Sequence, residues 1–314
     1  MVFSFSITLS FMTNVDYPYM PEGRELKFVS VEDSFMQEAA KARGERAGDP
    51  LWPIGAVLVK DGEVVATAGN GFDKGAGRVH VCPRIVEECA SGVGYELCDL
   101  HNAAGHAEPM VIKVARDAGV ETEGADFYMY GHWWCCEPCW NVLIDAGVRD
   151  VYVVDDAHER FSRDRVYAET LKSTVKSAYI AGPITNVVDF ESQKKFYEAI
   201  GEVCESMGCK ARIPHRDNVV NEIFDGGNCE QVYEWATNEA HVNDVVVAEV
   251  SDPSLGTGGE LVEAVYAKRP IVLLSKVGSK VSRFVLGNPA VVYHIEYENQ
   301  EDVCRKLKNV LKQL

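Results

Sequence analysis

The sequence predicts two three-layer α/β/α domains in tandem. Strand-like and helix-like runs alternate along both halves, which is the pattern of helices packed on a largely parallel sheet. A polar helical stretch near residue 172 separates the two series. The composition, 46% hydrophobic and 25% charged over 314 residues, is enough to bury two cores. The boundaries that follow are 30–172 and 173–314, with residues 1–29 as an N-terminal extension.

The opening MVFSFSITLSFM has no basic residue ahead of it and is too short to span a bilayer, so it reads as neither a signal peptide nor an anchor. Translation starting at Met12 or Met20 is equally compatible with it. VEDSFMQEAAKAR, residues 31–43, begins on acids and ends on bases, as a helix macrodipole favours. IGAVLVK and EVVATAGN flank an Asp-Gly pair, the signal of a tight hairpin. A loop rich in Gly, Cys and Pro covers residues 71–101. After it come a helix in HAEPMVIKVARDAG, a strand in DFYMY, a helix from the cysteines to Ala146 and a strand in DVYVV. The second series opens at SAYIAGPIT and places strands at 178–183, 210–213, 244–250, 270–275 and 291–296. That order gives a doubly wound, Rossmann-like sheet.

The net charge of −17 argues against extended binding to a nucleic-acid backbone but leaves room for a small nucleotide held by local donors. No stretch approaches membrane length, so no membrane partner is expected. Ten cysteines spread over a chain this long suggest intracellular thiols or metal ligands rather than a disulfide framework, and a cytoplasmic location.

Cys136 and Cys139 have the two-residue gap that lets two thiolates converge on one ion at a helix start. His106, thirty residues earlier, also opens a helix and can supply a third ligand, with Glu108 two positions on as a proton shuttle that does not coordinate. Three protein ligands leave one tetrahedral position for water, which Zn2+ can acidify to a pKa near ~7. A lone Cys-x-x-Cys could equally be a redox pair. The order His-x-Glu followed by Cys-x-x-Cys is the signature of zinc deaminases.

With GAVLVKDGEVVATAGNG, CPR, GYELC, HAE and DAGVRDVYVV in the same order, the segment resembles the deoxycytidylate deaminase family. The resemblance implies a cytidine-deaminase-like fold, bound zinc, Asn70 at the sugar and attack on C4 of a cytosine ring with loss of ammonia. A descendant that keeps its zinc without catalysis is the rival reading. Cys135 stands where that family's motif has proline. Arg78, with Lys74, is a candidate contact to a 5′-phosphate or simply a solvated loop charge. Trp133, Trp134 and Trp140 read as packing, although one of the first two could wall a base pocket. Cys82, Cys89, Cys98 and His101 form a second cluster, read either as a structural metal site, as in some relatives, or as buried free thiols.

In the second half, DVVVAEVSDPSLGTGGELVEA runs from a buried strand, Asp244 to Val250, into a Gly-rich loop, with a helix opening at Glu260. Glycines such as Gly256 and Gly258 let the backbone approach a ligand, and a helix start suits an anion. With AYIAGPI and IPHRD, the stretch resembles the nucleoside 2-deoxyribosyltransferase family, and within it the 2′-deoxynucleoside 5′-phosphate N-hydrolases. That resemblance implies a flavodoxin-like parallel sheet, Glu260 as nucleophile, Tyr179 placing it, Asp244 at the sugar or base, and Ser254 and Ser282 at the 5′-phosphate. Ala236 stands where the family's catalytic aspartate is expected, with Glu234 and Glu239 as possible replacements. A helix-capping role for Glu260 is the plainer alternative. Together the two resemblances imply a bifunctional enzyme that deaminates dCMP, or a 5-modified dCMP, and then cleaves its N-glycosidic bond. Its partners would be small-molecule nucleotides, and a homo-oligomer is expected because both families commonly form one.

Overall fold

The structure, a computed structural model, describes residues 16–71, 79–90, 92–98, 100–184, 187–217 and 229–314. The chain divides into two compact units, Met1–Gly75 with Asp99–Tyr167, and Ala76–Cys98 with Ala168–Leu314. In chain order the elements are β1 (Leu26–Val29), α1 (Ser34–Arg46), β2 (Gly55–Lys60), β3 (Glu63–Gly69), α2 (Pro83–Val86), α3 (Ala107–Asp117), β4 (Asp126–Tyr130), α4 (Glu137–Asp145), β5 (Val151–Val154), α5 (Ala157–Arg160) and α6 (Arg163–Thr170). They continue with β6 (Ser177–Ala181), α7 (Phe190–Ser206), β7 (Lys210–Arg212), α8 (Pro214–Asp217), α9 (Cys229–Val242), β8 (Val245–Glu249), α10 (Leu255–Tyr266), β9 (Ile271–Lys276), α11 (Arg283–Leu286), β10 (Val291–Tyr297) and α12 (Gln300–Leu311).

The first unit holds a five-stranded sheet in the order β1-β5-β4-β2-β3, with β2 antiparallel to both neighbours and the other pairings parallel. The hairpin turn has Asp61 and Gly62 both at positive φ, 52° and 83°, the two-residue turn that Asp-Gly favours. Asp33 caps α1, its Oδ1 accepting from the amides of Phe35 and Met36 at 3.0 and 3.1 Å. The described part of the expected extension contains β1, which pairs with β5 from Leu26 to Val29. Four residues are too few for a periodicity to show, so sequence pattern alone left this edge strand out.

At Gly55 the sheet touches the α1 backbone, and an added Cβ would lie 2.1 Å from the Arg43 nitrogen and 2.2 Å from the Ala39 oxygen. Neither atom can swing away as a flexible side chain would. Gly55→Ala is therefore expected to destabilise the first unit by about 3 kcal/mol or more, read as a lower melting temperature.

The second sheet is wholly parallel in the order β10-β9-β8-β6-β7, the doubly wound flavodoxin-type arrangement. Alternate residues of β8 face opposite layers. Val245 and Val247 join the core that includes Tyr197 and Ile200 of α7 and Leu307 and Val310 of α12. Val246 and Ala248 join the core of Ala240 from α9 and Leu261 and Ala264 from α10. Two cores flanking one sheet make the three layers.

The junction falls inside α6, five residues before the expected 172, and residues 76–98 pack with the second unit rather than the first. Val81 and Val86 are buried in the core shared with α12. Gln313 accepts from the Cys82 amide at 2.7 Å, and Arg305 donates to the Val86 carbonyl at 3.2 Å. A contiguous reading of element order could not foresee this detour. Among the described residues no helix is long and apolar enough to cross a membrane.

Candidate functional site

His106 is the N-cap residue of α3 and Cys136 that of α4, with Cys139 in the first turn of α4. Residues from two helix starts thus converge. His106 Nδ1 lies 3.3 Å from Cys139 Sγ and 3.5 Å from Cys136 Sγ, and the two sulfurs are 3.3 Å apart. The Nε2–H of His106 donates to the His101 carbonyl at 3.2 Å, which leaves the Nδ1 lone pair facing the sulfurs. A hydrogen bond from the Cys139 thiol, aided by His106, holds the Cys136 thiol down to about 4. Sharing that proton, and burial, push Cys139 up. One imidazole nitrogen and two sulfurs, with a thiolate already favoured, form a donor set that suits zinc and leaves a fourth position open.

Glu108 is buried in the first turn of α3, and burial pushes its carboxyl above the usual range. Cys135, the departure from proline, hydrogen-bonds to that carboxyl through its thiol. His132 is half-buried and held neutral, its pKa lowered to about 3 by desolvation and by the neighbouring His106. It sits among Trp52, Trp133 and Trp134, with ring centroids 5.4, 6.3 and 5.8 Å away. Trp140 is fully buried core, whereas Trp133 is half-buried with its ring edge-on to His158 at 4.6 Å.

Asn70, expected at the sugar, is held by three hydrogen bonds. Its Oδ1 accepts from the Ile54 amide at 2.7 Å, and its Nδ2 donates to the Trp52 carbonyl at 2.8 Å and to Asp49 Oδ2 at 3.3 Å. The amide is committed to the loop that precedes β2. Arg78 and Lys74 lie outside the described residues.

Of the second cluster, Cys82 and Cys98 share a hydrogen bond within the second unit, and His80 Nε2 lies 3.4 Å from Cys98 Sγ. Cys89 stands apart, beside Gly94. His101 belongs to the first unit, where its Nε2 pairs with Asp49 Oδ2 at 2.8 Å. His80 was missed, although a His-x-Cys spacing with Cys82 could have pointed to it.

In the second unit, Tyr179 on β6 donates its hydroxyl to Glu260 Oε1 at 2.9 Å. Glu260 lies in α10, which follows β8, so the pair sits where the strand order reverses between β6 and β8, the usual place for a ligand in such sheets. The residue is half-buried, but its Oε2 is out of contact with solvent and has no hydrogen-bond partner among the described residues. Burial raises the Glu260 pKa to about 7, and the Tyr179 hydroxyl draws it back down. Trp235 lies edge-on to Tyr179 at 5.8 Å.

Ser254 caps α10, its Oγ accepting from the Thr257 amide at 3.3 Å, while the buried Thr257 Oγ1 has no partner among the described residues. Gly258 lies in this same first turn, and a Cβ there would meet nothing within 4 Å, so the turn is open on that side. Gly256 is likewise exposed. Ser282 caps a different helix, α11, and is exposed.

Two expectations differ here. Asp244 is at the opposite, N-terminal edge of the sheet, where its Oδ2 accepts from the amides of Lys176 and Ser177 at 2.8 and 3.1 Å, so it is not part of the Glu260 site. The resemblance implied its role, but it precedes β8, so the strand's direction puts it at the end of the sheet away from Glu260. Glu234 is exposed, and Glu239 is buried against Arg212, whose Nε and Nη2 donate to its two oxygens at 3.1 Å each. Its charge is thus neutralised in place rather than free beside Ala236.

The first unit thus carries a His-Cys-Cys metal donor set and the second a carboxylate at a flavodoxin-type switch point. Residues 29–155 match the family model of the cytidine and deoxycytidylate deaminase zinc-binding region. The chain is also 36% identical over 95 residues to a protein of Syntrophotalea carbinolica named as a 2′-deoxynucleoside 5′-phosphate N-hydrolase, an alignment covering 29% of this chain and 66% of that one, just under two thirds. A protein of Methanosarcina mazei with the same name is 26% identical over 134 residues, 42% of this chain and 81% of that one. Among solved structures, a CMP N-glycosidase of Clostridium botulinum aligns with 19% identity and a TM-score of 0.33, over 42% of this chain and 97% of that one.

Proposed function

We propose that the protein deaminates dCMP, or a 5-modified dCMP, at the His106–Cys136–Cys139 site. It then hydrolyses the N-glycosidic bond of the product at Glu260, releasing free base and deoxyribose 5-phosphate. The observation that carries this reading is the pairing of Glu108 beside a complete metal donor set with Glu260, whose Oε2 is buried and unengaged.

Zinc, held by His106, Cys136 and Cys139, would supply Lewis acidity and an acidified water. Glu108 would take one proton from that water and pass it to ring N3 as the water oxygen bonds to C4, then carry the second proton from the new C4 hydroxyl to the amino group, which leaves as ammonia with the electron pair of the C4–N bond. His132, neutral and walled by tryptophans, would line the base without adding charge. In the second unit, Glu260 would bond to C1′ as the bond from C1′ to the base nitrogen breaks, the electron pair leaving with the base. Water would then attack C1′, its hydroxyl staying on the sugar and its proton passing to solvent, and Glu260 would be released as carboxylate. Ser254 and the open first turn of α10 would hold the 5′-phosphate. Covalent fusion keeps the deaminated intermediate at high local concentration.

His80, Cys82 and Cys98 would hold a second, structural metal. None of the ten cysteines is in a disulfide, which suits the cytoplasm. A homo-oligomer is part of the same proposal, as are small nucleotides rather than nucleic acid as partners.

The test is incubation with dCMP and with 5-hydroxymethyl-dCMP, followed by separation of nucleotide, base and sugar phosphate. Absence of both ammonia and free base rejects the proposal. Ammonia without base leaves the second reading, a deaminase whose second unit only binds nucleotide. The pairing of Glu239 with Arg212 favours that reading because it neutralises the one buried acid on α9, while Glu234 is exposed. Base transfer to an added second base would instead mark a deoxyribosyltransferase.

A nucleophilic Glu260 must be ionised, so base release is expected to rise with pH through about 7. Tyr179→Phe removes the bond that favours the charged form, so the midpoint of that profile should move to higher pH. Initial rates between pH 5.5 and 9 check both.

A further inference from the structure

Asp49 is 1% exposed, yet it ties together three segments of the first unit. Its Oδ1 accepts from the amides of Leu51 and Trp52 at 2.8 and 3.2 Å, shaping the loop before β2. Its Oδ2 accepts from Asn70 Nδ2, at the end of β3, and from His101 Nε2. The His101 carbonyl in turn accepts from Nε2 of His106. Two further bonds close the frame, since the Gly71 amide donates to the carbonyl of Gly105, the residue before His106, and Trp52 Nε1 donates to the Gly131 carbonyl ahead of the cysteines. A buried carboxylate is costly unless its oxygens are satisfied, and here every bond it accepts orients chain that leads to a metal ligand.

We propose that Asp49 is a positioning residue for the metal site, fixing the His101 backbone that orients the His106 imidazole and fixing Asn70 in the same stroke. This rests on the reading of His106, Cys136 and Cys139 as zinc ligands. Asn70 is braced in this frame by the same carboxylate. Removal of an outer partner of a metal-bound histidine commonly weakens metal affinity by 10–100-fold. Asp49→Asn keeps the shape but sets an amide donor against the N–H groups of His101 and Asn70.

The test uses stripped full-length protein, titrated with zinc against a chelating dye, and the same protein loaded with cobalt(II). Cys136→Ser is run alongside, so that the cobalt bands it loses mark this site and not the His80–Cys82–Cys98 group. A wild type that takes up no metal at His106 overturns the zinc reading itself, before any variant is considered. With wild-type loading established, Asp49→Asn is expected to bind zinc about 10–100-fold more weakly and to shift the cobalt d–d bands while keeping the thiolate charge-transfer band. Unchanged affinity and unchanged bands overturn the proposal, even if the stripped variant melts at lower temperature, because a merely structural residue would move only the melting. Should Asp49→Asn not fold, His101→Leu decides. It keeps the carbonyl but frees the segment from Asp49, so weaker zinc and shifted bands support the proposal and unchanged values overturn it.

Discussion

Glu260→Gln is expected to stop base release while leaving ammonia release from dCMP at its wild-type rate. The amide keeps the shape and can still accept from Tyr179, but it cannot attack C1′, so the loss should be on the order of 10⁴-fold or more. The same substitution has a second readout. The folded-state pKa of Glu260 is raised from 4.5 to about 7, so the folded protein binds this proton more tightly than the unfolded chain does. The stabilisation from the protonated form is complete below about pH 4.5 and is lost as pH rises through 7, when a buried charge must be carried at a cost of about 3 kcal/mol. Glu260→Gln should therefore melt at a higher temperature than wild type at pH 8 and at nearly the same temperature at pH 4. Retained base release with that stability gain would mean that the carboxylate is buried for another reason.

Glu108→Gln is expected to reduce deamination by roughly 10²–10⁴-fold, the usual contribution of a positioned proton carrier. Zinc content should be unchanged, because Glu108 is not among the converging donor atoms. Glycosidic cleavage of added dUMP should persist. The outcome that would unseat the assignment is a variant with full metal and full ammonia release, since no other buried carboxylate shares the first turn of α3. The thiol of Cys135 hydrogen-bonds to Glu108, so the position where the chain departs from proline bears on how that carboxylate is held.

Much of this was legible in the sequence because local signals and chemistry agreed. The Asp-Gly hairpin, the strand at residues 126–130 and the five strands of the second sheet stand where alternation placed them, within a residue or two. The His-x-Glu and Cys-x-x-Cys spacings met because both open helices, and helix starts are places where short-range signals are strong. What escaped depended on partners far along the chain. β1 is a strand only because β5 lies beside it. Asn70, expected at the sugar, is also tied to Asp49, Trp52 and Ile54, bonds that no local pattern shows. Asp244 has the right residue type and directly precedes β8, yet its carboxylate caps the sheet at the end away from Glu260. The neutralisation of Glu239 on α9 needs Arg212, twenty-seven positions away on β7.

The detour of residues 76–98 bears on how this polypeptide is made and cut. The chain passes from one body to the other three times, so a nick near residue 168 would not release two self-sufficient pieces. Gene segments ending there would yield a fragment with Val81 and Val86 deprived of their cover. During synthesis the short helix around Pro83 emerges more than two hundred residues before α12, its packing partner. α12 thus completes a core whose first members, Val81 and Val86, are made long before it.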